Sequence, residues 1–460
     1  MGLTEFLIRT IGNPLLLAYR GEAAVLRHYG YFAAMWSVSK TRLERHRLRR
    51  LQRMLRHAEA TSPFYRERFR QGGFEVKTVK GCGDIADLPF LTKGDLNSRM
   101  DEILSTAFKR EDLISSSTGG SSGVPLTFYR DREVTSIRRA QDYFFNARLG
   151  IYPGTKRAWV WGSPLDTFHL DKLKARIANF LSDRAIYFYS FDATPDSSLE
   201  FLEQIRRFKP KAIYAYPNML SAMAELARER SVKVRRVGKV IVTAEPLYDW
   251  QRELFKDVFN AETFERYGSR EIGTVASEGP DHVGMYIFEP SYYLEVVDER
   301  GKPLPNGQMG ELVVTDLYNY AMPLIRYRTG DMVRFAEASA RTNTSWRRIT
   351  EVGGRVVDLV YRYDGSRIAG EAIIMSLRTA GVRNKVQIVQ HSPQSMTVKH
   401  LYSEAVIPEV QGVFQEKINQ ILGGEVKIEY EGVAELPYDN SGKYRYITSE
   451  YKKDMHADHR

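Results

Sequence analysis

A single cysteine, Cys82, in 460 residues leaves no partner for an internal disulfide and excludes a cysteine-cluster metal site. Long apolar runs are missing too, and none approaches the roughly 20 residues that span a bilayer. The opening residues Met1-Gly2-Leu3-Thr4-Glu5 lack the basic stretch, apolar core and small-residue cleavage site of a secretory leader. Together these absences predict a cytoplasmic protein. There is no internal repeat and no low-complexity tract.

What is present is a globular composition, 43% hydrophobic and 27% charged, in a chain long enough for two or three domains. The charge is lopsided, with 67 Lys and Arg against 57 Asp and Glu, for a net +10. Much of the excess lies in residues 40–50 and just beyond. There Leu43, Leu48, Leu51, Met54 and Leu55 recur at helical spacing, predicting an amphipathic helix with a basic outer face. A solvated face is the plain reading of such a run. The functional readings are an anionic coenzyme, a carrier protein or peripheral contact with the inner face of a membrane. No binding motif accompanies the charge, so nucleic acid is not an expected partner.

Residues 1–85 read as helical, punctuated by Pro63 and Gly72-Gly73. Thr92 followed by Asp95 has the pattern of a capping box. Strands at 158–162, 185–189, 212–217 and 239–244 then alternate with helices at 134–149, 199–208, 219–229 and 250–259. That alternation predicts a mainly parallel sheet covered on both faces. After residue 285, strands at 285–288, 293–297 and 311–315 separated by Gly and Asn turns predict an antiparallel β unit. The last hundred residues mix strands at 386–389 and 426–430 with a helix at 408–422. The expected architecture is therefore α/β. A large N-terminal domain, 1–353, has mainly parallel sheets plus an antiparallel β unit, and a small α+β domain, 354–460, follows.

Five stretches carry chemical potential. Ser115 to Gly123 holds five serines, one threonine and three glycines, and runs into Val124-Pro125. It reads either as a flexible linker or as a nest of backbone N–H groups for an anion. No Gly-Lys-Ser/Thr closes it, so it is not a Walker loop. Tyr267-Gly268-Ser269-Arg270-Glu271 follows a strand. Tyr327-Arg328-Thr329-Gly330-Asp331 reads as a glycine turn with an exposed Asp. Gly353-Gly354-Arg355 and Tyr438-Asp439-Asn440-Ser441-Gly442-Lys443 complete the set. Each alone is equally a hairpin or helix-cap turn.

In this order the motifs resemble those of the adenylate-forming enzymes: acyl-CoA synthetases, nonribosomal adenylation domains and luciferases. Ser62-Pro63-Phe64-Tyr65, Leu91-Thr92-Lys93, Tyr216-Pro217 and Asp364-Gly365-Ser366-Arg367-Ile368 are similar to the phenylacetate–coenzyme A ligase and CapK-like branch. The resemblance runs from about residue 50 to the C-terminus. It implies an ATP-dependent ligase that joins a carboxylic acid to AMP, releases pyrophosphate, and passes the acyl group to a thiol or amine. It implies that Thr118, Gly119, Gly120, Ser121, Ser122 and Gly123 hold the β- and γ-phosphates, and that Ala244, Glu245, Pro246, Tyr267, Gly268 and Ser269 line the adenine side. Glu271 would bind Mg²⁺, Asp331 the ribose hydroxyls with Arg355 nearby, and Lys443 would reach the α-phosphate. In the family the small domain then rotates to admit the acceptor, coenzyme A or a carrier-bound thiol.

Two places depart from the family. The hinge Asp expected two residues after Arg355 is Val357, with Asp358 next, which leaves the second half-reaction open. Where some relatives hold zinc with cysteines, this chain has Glu278 and His282, and no zinc is expected. Trp161, Tyr214, Tyr216 and Tyr143 are candidates to line an acyl pocket, or else core aromatics. Two alternatives stay open: an aryl- or acyl-coenzyme A ligase, and a nucleotide-binding or membrane-surface scaffold without catalysis.

Overall fold

The computed structural model describes residues 2–117, 126–161, 173–189, 194–234, 236–337, 343–355, 359–365, 367–370, 373–374, 376–377, 380, 382, 386–402, 406, 408–436 and 446–451. The chain divides into two compact units, one of residues 1–329 and 334–351, the other of 330–333 and 352–460.

The first unit opens with helices α1 (Leu3–Leu7), α2 (Asn13–Tyr19), α3 (Ala24–Met35), α4 (Lys40–Thr61) and α5 (Pro63–Gln71). A π-helical turn, Ile8–Gly12, joins α1 to α2. The basic run forms α4, which buries Leu43, Leu51, Met54 and Leu55. Its polar side is partly turned inward: Arg47 and Arg347 grip the buried carboxylate of Glu289, and His46 contacts the Pro290 carbonyl at 3.0 Å. Burial alone would raise the Glu289 carboxyl, but the two guanidiniums hold it below its ordinary range. Arg47 and His46 thus anchor α4 to the β framework, while Arg42, Arg45, Arg49, Arg53 and Arg56 stay exposed.

Short helices α6 (Lys93–Ser98) and α7 (Met100–Ile103) follow, the first with the expected cap. Asp95 N–H donates to Thr92 Oγ1 at 3.1 Å, and Thr92 N–H donates to the Asp95 carboxylate at 2.8 Å. Strands β1 (Ile114–Ser117) and β2 (Thr127–Arg130) form a hairpin in which Ser117 faces Thr127. The serine run therefore begins as a strand, because β2 supplies a partner for its backbone. The loop residues 118–125 lie outside the described set.

From α8 (Arg132–Arg148) onward the unit is α/β. Strands β3 (Arg157–Trp161), β4 (Ala185–Tyr189), β5 (Ala212–Ala215), β6 (Lys239–Thr243) and β7 (Glu262–Ser269) lie parallel in the order β4-β3-β5-β6-β7. Helices α9 (Leu173–Leu181), α10 (Pro195–Phe208), α11 (Pro217–Glu229) and α12 (Asp249–Phe259) intervene. One sheet face sends Val160, Ile213, Ala215, Val240 and Val242 against Leu202, Leu220, Met223, Phe255 and Phe259 of α10–α12. On the other face a cross-strand row, Tyr187, Trp159, Tyr214, Ile241 and Phe264, stands in register.

The antiparallel strands expected after residue 285 extend this same sheet. Strands β8 (Gly273–Glu278), β9 (Met285–Ile287), β10 (Tyr292–Val297), β11 (Met309–Asp316), β12 (Tyr327–Phe335) and β13 (Arg348–Arg355) complete eleven strands, ordered β10-β11-β12-β13-β9-β8-β7-β6-β5-β3-β4. The stretch 327–331 lies within β12 and is not a free turn; Gly330 takes φ +79° and Asp331 is half-buried.

The second unit carries the hairpin β14 (Leu359–Tyr361) and β15 (Arg367–Ala369). It also has a four-stranded sheet, β18-β17-β16-β19, from β16 (Val386–Ser392), β17 (Ser395–Leu401), β18 (Lys427–Val433) and β19 (Ile447–Ser449). Helix α13 (Pro408–Leu422) buries Phe414, Ile418 and Leu422 against it. No helix among the described residues is long and apolar enough to cross a membrane.

Candidate active site

In open α/β sheets the strands deliver their chemistry at their carboxyl ends, where loops are free to converge. Here those ends gather Trp161 of β3, Tyr189 of β4, Tyr216 after β5, Ala244-Glu245-Pro246 after β6, and Tyr267 to Ser269 of β7.

The β7–β8 turn is the centre. A bulge between Tyr267 and Gly268 shifts the register before the turn residues Arg270 and Glu271. A Cβ on Gly268 would sit 2.3 Å from the Gly273 carbonyl oxygen, so only glycine fits between these strands. Tyr267 is nearly buried. Ser269 Oγ is buried without a hydrogen-bond partner among the described residues, an orphan that a bound polar ligand would satisfy. Glu271 is 6% exposed. One carboxylate oxygen accepts from the Tyr327 hydroxyl at 3.1 Å, and the other has no hydrogen bond among the described residues.

Arg138 of α8 was not singled out in the sequence, yet it holds this turn. Its Nη2 donates to the Glu271 carbonyl at 2.6 Å and lies 3.5 Å from Asp316, while Nη1 reaches the Arg270 carbonyl at 3.5 Å. Burial pushes the Asp316 carboxyl up, against the pull of Arg138 and the N–H groups of Tyr318 and Asn319. Arg138 lies over a hundred residues from Arg270, Glu271 and Asp316, and no local pattern marks the set. Arg270 donates to the Ser117 carbonyl at 2.8 Å. The turn is therefore tied to the residue that leads into the Ser/Gly loop. Leu91 and Tyr327 form a parallel bridge, with Leu91 N–H donating to Arg326 O at 3.0 Å, so the 91–93 entry is stitched beside the 327–331 motif.

At the end of β6, Ala244 takes φ +75°, a conformation that costs a residue with a Cβ about 1–2 kcal/mol. Its neighbour Glu245, almost buried, accepts from the Asn218 N–H at 3.2 Å in the first turn of α11, just after Tyr216-Pro217. An acid at a helix N-terminus is electrostatically favoured. The aromatic candidates separate into layers. Trp161 packs against Tyr216 at 4.9 Å near the strand ends. Tyr214 lies one layer down, stacked on Trp159 at 4.5 Å with its hydroxyl donating to Asn146. Tyr143 donates to Asn13, away from the strand ends.

Other predicted positions fall elsewhere. Asp331 and the backbone of Arg355 belong to β12 and β13. Thr118 to Gly123, Lys443, Val357 and Asp358 lie outside the described residues. In the segment without cysteines, His282 lies 2.8 Å from Glu278 and 2.9 Å from Glu262, and its ring stacks on Phe264.

A family model for AMP-binding enzymes matches residues 42–319, well over half of the chain. The chain belongs to the AMP-binding enzyme family. The model of the CapK C-terminal domain matches residues 360–450. Protein CapK of Staphylococcus aureus is 24% identical over 417 residues, 88% of either chain. Phenylacetate-coenzyme A ligase of Pseudomonas putida is 29% identical over 339 residues, 71% of this chain and 73% of its own. Among solved structures, a 2-hydroxyisobutyryl-CoA ligase in its postadenylation state has a similar fold. Its TM-score is 0.73 at 19% identity, covering 90% of this chain and 91% of its own. The AMP-binding enzyme described here is thus an adenylate-forming ligase of the CapK and phenylacetate–CoA ligase branch.

Proposed function

We propose that the enzyme couples ATP to a carboxylic acid and hands the acyl group to the thiol of coenzyme A. The observation that carries this reading is the β7–β8 turn: an orphaned Ser269 hydroxyl and an open Glu271 oxygen at the strand ends, tied to the mouth of the Ser/Gly loop. The donor set fits a hard cation, since a buried carboxylate with one oxygen fixed and one unspent is what Mg²⁺ takes from protein. Glu271 would hold the ion, which when bound neutralises phosphate charge.

In the first step a carboxylate oxygen attacks the α-phosphorus of ATP. A P–O bond forms, the bond to pyrophosphate breaks, and acyl-adenylate remains. Two anions meet, so the chain must position them and offset their repulsion. In this reading Thr118 to Gly123 hold the departing phosphates, Tyr267 and Ala244 to Pro246 flank the adenine, and Gly268 lets the backbone approach. Asp331 with Arg355 takes the ribose, and Lys443 places a cation on the α-phosphate. In the second step the thiol sulfur attacks the acyl carbonyl carbon. A thioester forms, AMP leaves with its oxygen, and the thiol proton goes to solvent. Rotation of residues 354–460 about the Val357–Asp358 region would separate the two steps.

The acid would be aromatic or small and polar, with Trp161 and Tyr216, which pack on each other near the strand ends, as candidates to line its pocket. A carrier-bound thiol is a second acceptor of the same chemistry. A cytoplasmic enzyme touching the inner face of a membrane belongs to the same reading.

Exchange of labelled pyrophosphate into ATP across a panel of aromatic and small polar acids tests the proposal. At least one acid should support exchange, and Lys443→Ala should abolish it. AMP formation with an amine or hydroxyl compound, with no acid giving exchange, would show the carboxylate assignment to be wrong.

A further inference from the structure

The N-terminal helices carry apolar side chains on two sides. Ile8, Leu16 and Leu17 are buried. A second row, at every fourth residue, is bare: Leu3, Leu7, Ile11, Leu15 and Tyr19 are 75%, 44%, 54%, 64% and 80% exposed, with Phe6 beside them at 47%. In a regular α-helix a step of four overshoots one turn by about 40°, so such a row would wind around the axis. The π turn at Ile8–Gly12 holds more residues per turn and takes up part of that overshoot, drawing the row towards one side.

Helix α9 adjoins this segment. Asn13 Nδ2 donates to the Leu181 carbonyl at 3.4 Å, and a Cβ on Gly12 would lie 2.9 Å from Leu181 Cδ2. None of the nine residues of α9 is buried. Leu173, Ile177 and Phe180, spaced to share one helix face, are half exposed or more. Single exposed apolar residues are ordinary, but two adjoining helices that both turn such stripes to solvent mark an interaction surface.

The charges on these helices choose the partner. Arg9, Arg20, Lys174 and Arg176 are exposed. The acids nearby are engaged: Glu5 is buried against Thr155 and Lys211, and Glu22 is bonded to Arg139. A second copy docking through this face would bring like cations together, which disfavours self-association. An anionic lipid surface accepts both features, with apolar side chains in the headgroup boundary and cations among the phosphates.

We propose that α1, α2 and α9 form an interfacial anchor that seats the enzyme on an anionic bilayer, with Leu7, Ile11, Leu15 and Ile177 inserted. This inference does not depend on the acid or acceptor chosen above.

Sedimentation of the full-length protein with vesicles of phosphatidylcholine, alone or mixed with phosphatidylglycerol, tests it. The protein should pellet with the anionic vesicles and be released by high salt. Leu7→Ser/Ile11→Ser/Leu15→Ser should weaken partitioning roughly tenfold or more, and Arg20→Gln/Lys174→Gln/Arg176→Gln by roughly a hundredfold. Both variants should keep their melting temperature and pyrophosphate exchange, which separates this inference from the catalytic reading. Three results would overturn it: no wild-type binding to any vesicle, unchanged binding of both variants, or lipid-free dimers that the serine variant abolishes.

Discussion

Replacing Gly268 with alanine puts a methyl group where backbone already stands. The added Cβ would lie 2.3 Å from the Gly273 carbonyl oxygen and 2.9 Å from the Thr274 Cα, neither of them the end of a movable side chain. Contacts below 3.0 Å are essentially never made, so β7 and β8 must part by about 0.7 Å at the bulge. Overpacking of this kind costs about 1–3 kcal/mol. Spread over a unit of roughly 350 residues, that lowers the melting temperature by only about 1–4 °C. Catalysis should suffer more. Tyr267, Ser269 and Glu271 hang on the displaced turn, and a misplacement approaching 1 Å costs up to about a hundredfold in rate. Thermal unfolding and pyrophosphate exchange, measured on the same preparation, should therefore show a small stability loss beside a tenfold to hundredfold fall in kcat/KM, order of magnitude. Wild-type exchange kinetics in a protein with the expected drop in melting temperature would show that this turn does not position the reacting groups.

Further outcomes follow from neighbouring contacts. Tyr327→Phe removes the hydroxyl that fixes Glu271 and leaves the carboxylate less directed; the Mg²⁺ concentration for half-maximal exchange should rise, by roughly tenfold for about 1–2 kcal/mol, whereas an unchanged Mg²⁺ titration would detach Glu271 from the metal. Ala244→Val should destabilise by about 1–2 kcal/mol because φ +75° crowds a branched side chain, and Ala244→Gly should not; chemical denaturation distinguishes them. His282 is partly desolvated, which lowers its pKa, but Glu262 and Glu278 outweigh that and raise it. A raised folded pKa adds stability below the unfolded value of about 6.5 and loses it as pH rises through the folded value. The melting temperature of His282→Gln should therefore fall below wild type at pH 6 and converge with it at alkaline pH; a constant gap would mean the ring acts only by stacking on Phe264.

The sequence exposed those features whose signals are local. The Thr92–Asp95 cap, the parallel strands and helix α13 at Pro408–Leu422 need only neighbouring residues to declare themselves. Other features depend on partners far along the chain. Ser115 to Ser117 looks like loop but pairs with β2, and 327–331 looks like a turn but is held in β12 despite the glycine. The antiparallel strands continue the parallel sheet because β8 pairs onto β7 and β9 onto β8, a register that no turn motif announces. Arg138 was hidden for the same reason, since its meaning lies in Arg270, Glu271 and Asp316. Helix α9 was passed over although Leu173, Ile177 and Phe180 recur at helical spacing; what the spacing does not reveal is that this stripe faces solvent and not the core.

The central claim is an acyl-adenylate held at the strand ends and consumed by a thiol. Rapid quench of the enzyme with ATP and an exchange-active acid, read by mass spectrometry, measures it directly. The acyl-adenylate should form in amounts comparable to enzyme before any release of AMP, and should convert to thioester when coenzyme A is added. Formation of AMP and pyrophosphate with no acyl-adenylate at any time, or an adenylate that coenzyme A leaves untouched, would contradict the account.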